Sequence, residues 1–158
     1  MVEFFKNLSN DYLELLNDNE DFNVIIKVNE STSNKIFKVH SAILRKRSLY
    51  FRNELTNTNS DKNNIKTINL NHVSIEQFEI IIKYIYGGIF SLDGLDVSFI
   101  FEIMLVAYEF FLEELGKFLE TFLIEEKASW LRLHFTHIYK LSFKKIRPKG
   151  YKIGVMIS

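Results

Sequence analysis

Between residues 3 and 17, apolar side chains recur at Phe5, Leu8, Tyr12, Leu15 and Leu16. Spacings of three and four put them on one face of a helix. The polar run Asn17-Asp18-Asn19-Glu20-Asp21 ends that helix. The β-branched stretch 22–28 predicts a strand, 29–34 a polar turn, and Ile36-Phe37-Lys38-Val39 the returning strand of a hairpin. Ser41 opens a short helix carrying Ile43 and Leu44, and Ser48 is placed to cap a second with Leu49, Phe51, Arg52 and Leu55. Residues 56–66 are polar enough for an exposed loop, and 67–70 read as a short strand. Ser74 with Gln77 forms a capping box before a helix over 75–86, with Ile75, Phe78, Ile81, Ile82 and Ile85 inward. Gly87-Gly88 stops it.

After a turn at Asp93-Gly94, the pattern becomes wholly helical. Helix 97–108 carries Ile100, Ile103, Met104 and Ala107, and helix 111–125 carries Leu112, Leu115, Leu119 and Phe122. Residues 128–143 read as one more amphipathic segment, with Trp130, Leu131, Leu133, Ile138, Tyr139 and Leu141. From Lys144 the chain is basic and broken by Pro148 and Gly150, so residues 144–158 are expected to form a disordered tail. Strands in the first half and helices in the second predict an α+β fold.

Composition narrows the function classes. With 158 residues, the chain holds one domain and a short remainder on a prior of about 150 residues per domain. It has no Cys, which excludes disulfides, thiol nucleophiles and Cys-based metal sites. Twenty basic residues balance twenty acidic ones, so no global field draws nucleic acid or an anionic membrane. The longest stretch free of charged residues is nine, against about 20 for a membrane-spanning helix. Glu3 and Lys6 interrupt the N-terminus, unlike a secretory signal. A reducing compartment, cytoplasmic or nuclear, is the expectation.

Candidate chemistry is sparse. His40 follows a strand and opens a helix, with no nucleophile and acid at triad spacing, so it reads as structural. His134 and His137 lie one helical turn apart but have no third ligand nearby, which is weak evidence for metal. Glu113-Glu114 and Glu125-Glu126 fall on ordinary helix faces. The sole glycine pair ends a helix, whereas a phosphate loop would open one. Arg45-Lys46-Arg47 reads as a solvated helix face. Neither catalysis, nor a cofactor, nor a small-molecule substrate is expected.

Four motifs stand in sequence order: Asp21-Phe22-Asn23-Val24; Phe37-Lys38-Val39-His40-Ser41-Ala42-Ile43-Leu44; Arg47-Ser48-Leu49-Tyr50-Phe51; and Tyr84-Ile85-Tyr86-Gly87-Gly88. Together they resemble a BTB/POZ domain over residues of about 12–125. The resemblance implies a domain over 1–125 with a small mixed sheet flanked by helices, and makes His40, Ser48, Phe51, Gly87 and Gly88 structural motif positions. Residues 126–143 resemble the start of a BACK helical segment.

The resemblance implies a non-catalytic interaction module that homodimerises. Phe5, Leu8, Tyr12 and Leu15 are its candidate dimer contacts, beside an alternative in which the stripe covers the chain's own core. Family dimers bury an Asp at the position of Asp21 opposite a basic residue just after the His; here that position is Ser41, with Lys38 nearby. The resemblance further implies a substrate adaptor for a cullin-RING ubiquitin ligase, with Leu49, Tyr50, Asn53, Glu54, Asp61, Tyr84 and Tyr86 facing the cullin. Cullin-binding members carry a hydrophobic-x-Glu motif where this chain has Asn59-Ser60-Asp61. The alternative is an oligomerisation scaffold with no ligase role, as a truncated or dominant-negative member.

Overall fold

A computed structural model describes residues 1–134 and 139–140. The described chain forms α1 (Phe5–Asp18), β1 (Val24–Asn29), β2 (Asn34–Val39), α2 (Ser41–Arg47), α3 (Leu49–Thr56), β3 (Lys66–Leu70), α4 (Ile75–Gly87), α5 (Val97–Glu109), α6 (Glu113–Glu126) and α7 (Ala128–Leu133). The fold is α+β. It divides into two compact units, one over Met1–Ser91 and one beginning at Leu92.

In the first unit the sheet order is β2-β1-β3. The hairpin partner β2 runs antiparallel to β1, with Val24 opposite Val39 and Ile26 opposite Phe37. β3 returns parallel to β1, with Ile26 opposite Ile68, after the crossover through α2 and α3. Alternation sets the faces. Val24, Ile26, Val28, Val39, Ile68 and Leu70 are buried, while Lys27, Ile36, Lys38 and Asn69 are exposed. The core behind the buried face joins Leu44 of α2, Phe51 and Leu55 of α3, and Phe78, Ile81, Ile82 and Ile85 of α4. Phe78 is its aromatic hub, edge-on to Phe37 at 4.9 Å and to Phe51 at 6.3 Å between ring centres.

Helix starts follow the predicted chemistry. The Ser48 hydroxyl accepts from the Phe51 amide, and Ser74 and Gln77 complete a reciprocal capping box. Gly88, at φ 64°, closes α4 in the left-handed conformation, and its N–H donates to the Tyr84 carbonyl.

In the second unit, α5 buries Ile100, Ile103, Met104 and Ala107 as its periodicity predicts. Its cap is Asp96, whose carboxylate accepts from the Phe99 amide at 2.8 Å. α6 buries Leu115, Leu119 and Leu123. Phe122, assigned inward from the sequence, is only half-buried because the inward face passes through Leu123. Gly116 lets α6 approach Tyr108: a Cβ there would meet the Tyr108 ring at 2.9 Å. α7 buries Leu131 but leaves Leu133 exposed, and its cap is His134. Ile138, Leu141, His137 and the tail at 144–158 lie outside the described residues.

Candidate protein-interaction site

The N-terminal helix settles which of its faces is spoken for. No residue of α1 is fully buried. Its contact with α4 runs along one flank of the predicted stripe, through Ser9 and Leu13. The Ser9 hydroxyl donates to the Gly87 carbonyl at 2.6 Å. Leu13 lies over Gly87 so closely that a Cβ there would fall 2.8 Å from Leu13 Cγ and Cδ2. Phe5, Leu8 and Tyr12 are left exposed at 64%, 51% and 40%, and Leu15 and Leu16 are half-buried. The reading in which this stripe covers the chain's own core is therefore corrected for Phe5, Leu8 and Tyr12. Phe4, 78% exposed, continues the apolar patch. Sequence periodicity did not single out Ser9 and Leu13, because the docking is made by a hydroxyl and by one leucine meeting a glycine.

Between α1 and β1 the chain turns on two left-handed residues, Asn19 and Asp21, at φ 57° and 54°. Both residue types tolerate that conformation. Asp21 is exposed in the chain, and among the described residues it has no ion-pair partner. Lys38 is also exposed, with its ammonium 5.1 Å from the Phe22 ring centre. Ser41 is engaged by Asn23: its amide donates to Asn23 Oδ1 at 2.8 Å and its Oγ accepts from Asn23 Nδ2 at 2.9 Å. This side-chain clasp satisfies a first-turn amide of α2.

His40 is a structural hinge pin. Its amide donates to the Tyr86 hydroxyl at 2.9 Å, its Nδ1 lies 2.7 Å from the same hydroxyl, and its Nε2 meets the Glu20 carbonyl. A carbonyl only accepts, so Nε2 carries the proton and Nδ1 accepts from Tyr86. Burial raises the Tyr86 hydroxyl well above the ordinary tyrosine range, and the hydrogen bond from the His40 backbone only partly offsets it.

The residues assigned to a second surface separate. Leu49 is 52% exposed at the start of α3, with Asn53 and Glu54 exposed one turn on and Tyr50 half-buried. Tyr84 and Tyr86 lie inside, 8% and 6% exposed. They are not available to a docking partner; Tyr86 holds His40, and Arg47 lies 5.5 Å from the Tyr84 ring while its Nε donates to the Ile85 carbonyl. Arg47 stays exposed, as expected of the basic run, and these two contacts tie its guanidinium to the end of α4. Asp61 is exposed, but its Oδ1 accepts from the amides of Asn63 and Ile65, so the carboxylate organises its own loop.

A sheet of order β2-β1-β3 under a hub helix, a histidine pinned by the last turn of that helix, and a glycine-tied N-terminal helix now stand together. The sequence matches the BTB/POZ domain family over residues 12–127. The chain belongs to the BTB/POZ family. The structure resembles the BTB domain of zebrafish PATZ1, with a TM-score of 0.57 and 18% identity, covering 77% of this chain and 94% of that one. It also resembles the BTB (Tramtrack and Bric a brac) domain of human gigaxonin, with a TM-score of 0.57 and 20% identity, covering 77% and 95%. No curated protein matches the chain. BTB domains are protein–protein interaction modules. In this BTB domain no described helix is long and apolar enough to cross a membrane.

Proposed function

We propose that this BTB domain is a non-catalytic module that self-associates through the outer face of α1. The observation that carries the reading is the division of that helix. One side is tied to Gly87 through Ser9 and Leu13, while Phe5, Leu8 and Tyr12 offer an unpartnered apolar stripe among the described residues. A two-fold arrangement would lay the stripe on its own copy and remove both from water. Asp21 and Ser41 belong to the rim of such an interface, with Lys38 beside them.

Sedimentation equilibrium tests this. The wild-type chain is expected to dimerise with a micromolar dissociation constant. Leu8→Arg is expected to be monomeric with an unchanged melting temperature, since Leu8 is exposed. A monomeric wild type at high concentration, or a Leu8→Arg dimer of equal strength, sinks the reading.

A second reading, a cullin adaptor, draws support from exposed Leu49, Asn53 and Glu54 on α3. The Asp61 loop weakens it, because the carboxylate there is engaged by its own backbone. The scaffold reading without a ligase role is therefore the one adopted. Calorimetry against a cullin N-terminal fragment distinguishes them, and saturable heat abolished by Leu49→Ala would reverse that choice.

A further inference from the structure

Among the described residues the sheet has a free edge with a chemical character of its own. β1 is central, so β2 offers its outer edge. The hairpin closes with the Glu30 amide donating to the Ser33 carbonyl at 2.8 Å. In an antiparallel ladder hydrogen-bonded and non-bonded pairs alternate. With Val28 opposite Lys35 and Ile26 opposite Phe37, those two β2 residues turn their main-chain groups toward β1. Asn34 and Ile36 then turn theirs away, with no partner among the described residues. At the other end the edge is closed. The Asn19 carboxamide, turned to satisfy both its groups, donates to the Lys38 carbonyl at 3.3 Å and to the Leu16 carbonyl at 3.2 Å.

Beside this edge runs a groove of about 420 Å³ between β2, the end of α1 and α4. Leu16, Ile36, Phe37 and Ile82 give it apolar walls. Lys35, Lys38 and Lys83 stand around it, all exposed, against a single acid, Glu79. Glu79 is already committed to Lys35 at 2.5 Å. The groove therefore carries a surplus of two positive charges, those of Lys38 and Lys83.

Lysines on an edge strand discourage pairing with another copy of the same strand, because like charges would meet. The same charges favour an acidic strand. We propose that the β2 edge and its groove accept an extended acidic peptide, added as a fourth strand from Asn34 to Ile36 and halted at Asn19. Main-chain bonds would give affinity, the apolar walls would take alternate side chains, and the lysines would select carboxylates. This site borders the α1 stripe at Leu16 but does not involve Phe5, Leu8 or Tyr12.

The probe is a fluorescent synthetic peptide of about eight residues alternating valine and glutamate. It is titrated by anisotropy against the full chain. Saturable binding is expected, weakened several-fold by the charge reversal Lys83→Glu, on α4 and away from the proposed dimer surface. N-methylation of alternate peptide amides should abolish it, and amide NMR shifts should gather on residues 34–38. Lys83 is exposed, so thermal melting should be unchanged. Flat anisotropy overturns the proposal. So does binding that survives N-methylation, which reduces the site to a charge patch. Shifts gathered elsewhere, or peptide binding lost as chain concentration rises because the edge pairs with a second copy, overturn it equally.

Discussion

The hydroxyl of Tyr86 sits between two groups of His40, 2.9 Å from its amide and 2.7 Å from its Nδ1. One oxygen thus satisfies a donor and an acceptor at the junction of β2 and α2. Both residues are buried, so removing it strands both partners. Tyr86→Phe should lower stability by about 1–3 kcal/mol, measured by urea denaturation. A loss below a few tenths of a kcal/mol would mean that water replaces the hydroxyl.

The same tyrosine gives an alkaline signature. In the unfolded chain it ionises near its ordinary value of about 10. In the folded chain burial holds the proton on to higher pH. Its contribution to stability is therefore whole below about pH 10 and is lost as pH rises through the folded value. Melting temperature should fall above pH 10 more steeply for wild type than for Tyr86→Phe. Parallel curves would contradict this.

Gly87 has ordinary helical geometry, and what demands glycine there is space. Gly87→Ala drives a methyl into Leu13, at a cost of about 1–3 kcal/mol from overpacking, reduced by alanine's better helix propensity, worth up to about 1 kcal/mol. The telling measurement is a double-mutant cycle with Leu13→Ala. Shortening Leu13 should make Gly87→Ala nearly harmless or stabilising. An additive cycle would show that the two residues do not meet.

Phe78→Ala removes the ring shared by Phe37 and Phe51 at the centre of the first unit. A loss of about 3–5 kcal/mol is expected from denaturant unfolding. Phe122→Ala, on the half-buried side of α6, should cost distinctly less. Equal losses would overturn the assignment of inward faces.

Most of the fold was legible because its elements announce themselves in period and punctuation. The capping box at Ser74 and Gln77, the Ser48 cap and the buried face of α5 all follow from local spacing. Element boundaries shift by a residue or two for the same reason that caps do: Val24 and Asn34 begin strands where pairing starts, and β-branching does not mark that point. The interaction residues were less legible. Tyr84 and Tyr86 look like surface anchors as residue types, yet more than half of the circumference of α4 is buried, and both fall on that side. Asp61 reads as a free acid until its loop closes on it. The Asn23–Ser41 clasp and the Leu13–Gly87 approach join residues distant in sequence and carry no periodic signal.

Central strand β1 emerges from the ribosome early, but its parallel neighbour β3 follows only after the whole α2–α3 crossover. During that interval one side of Val24–Asn29 has a hairpin and the other has nothing. A nascent chain paused before Leu70 would display an apolar strand with an open ladder, the kind of surface that chaperones bind and that aggregates nucleate upon. Codon changes that slow translation between Ser41 and Lys66 should therefore lower soluble yield without altering a single residue.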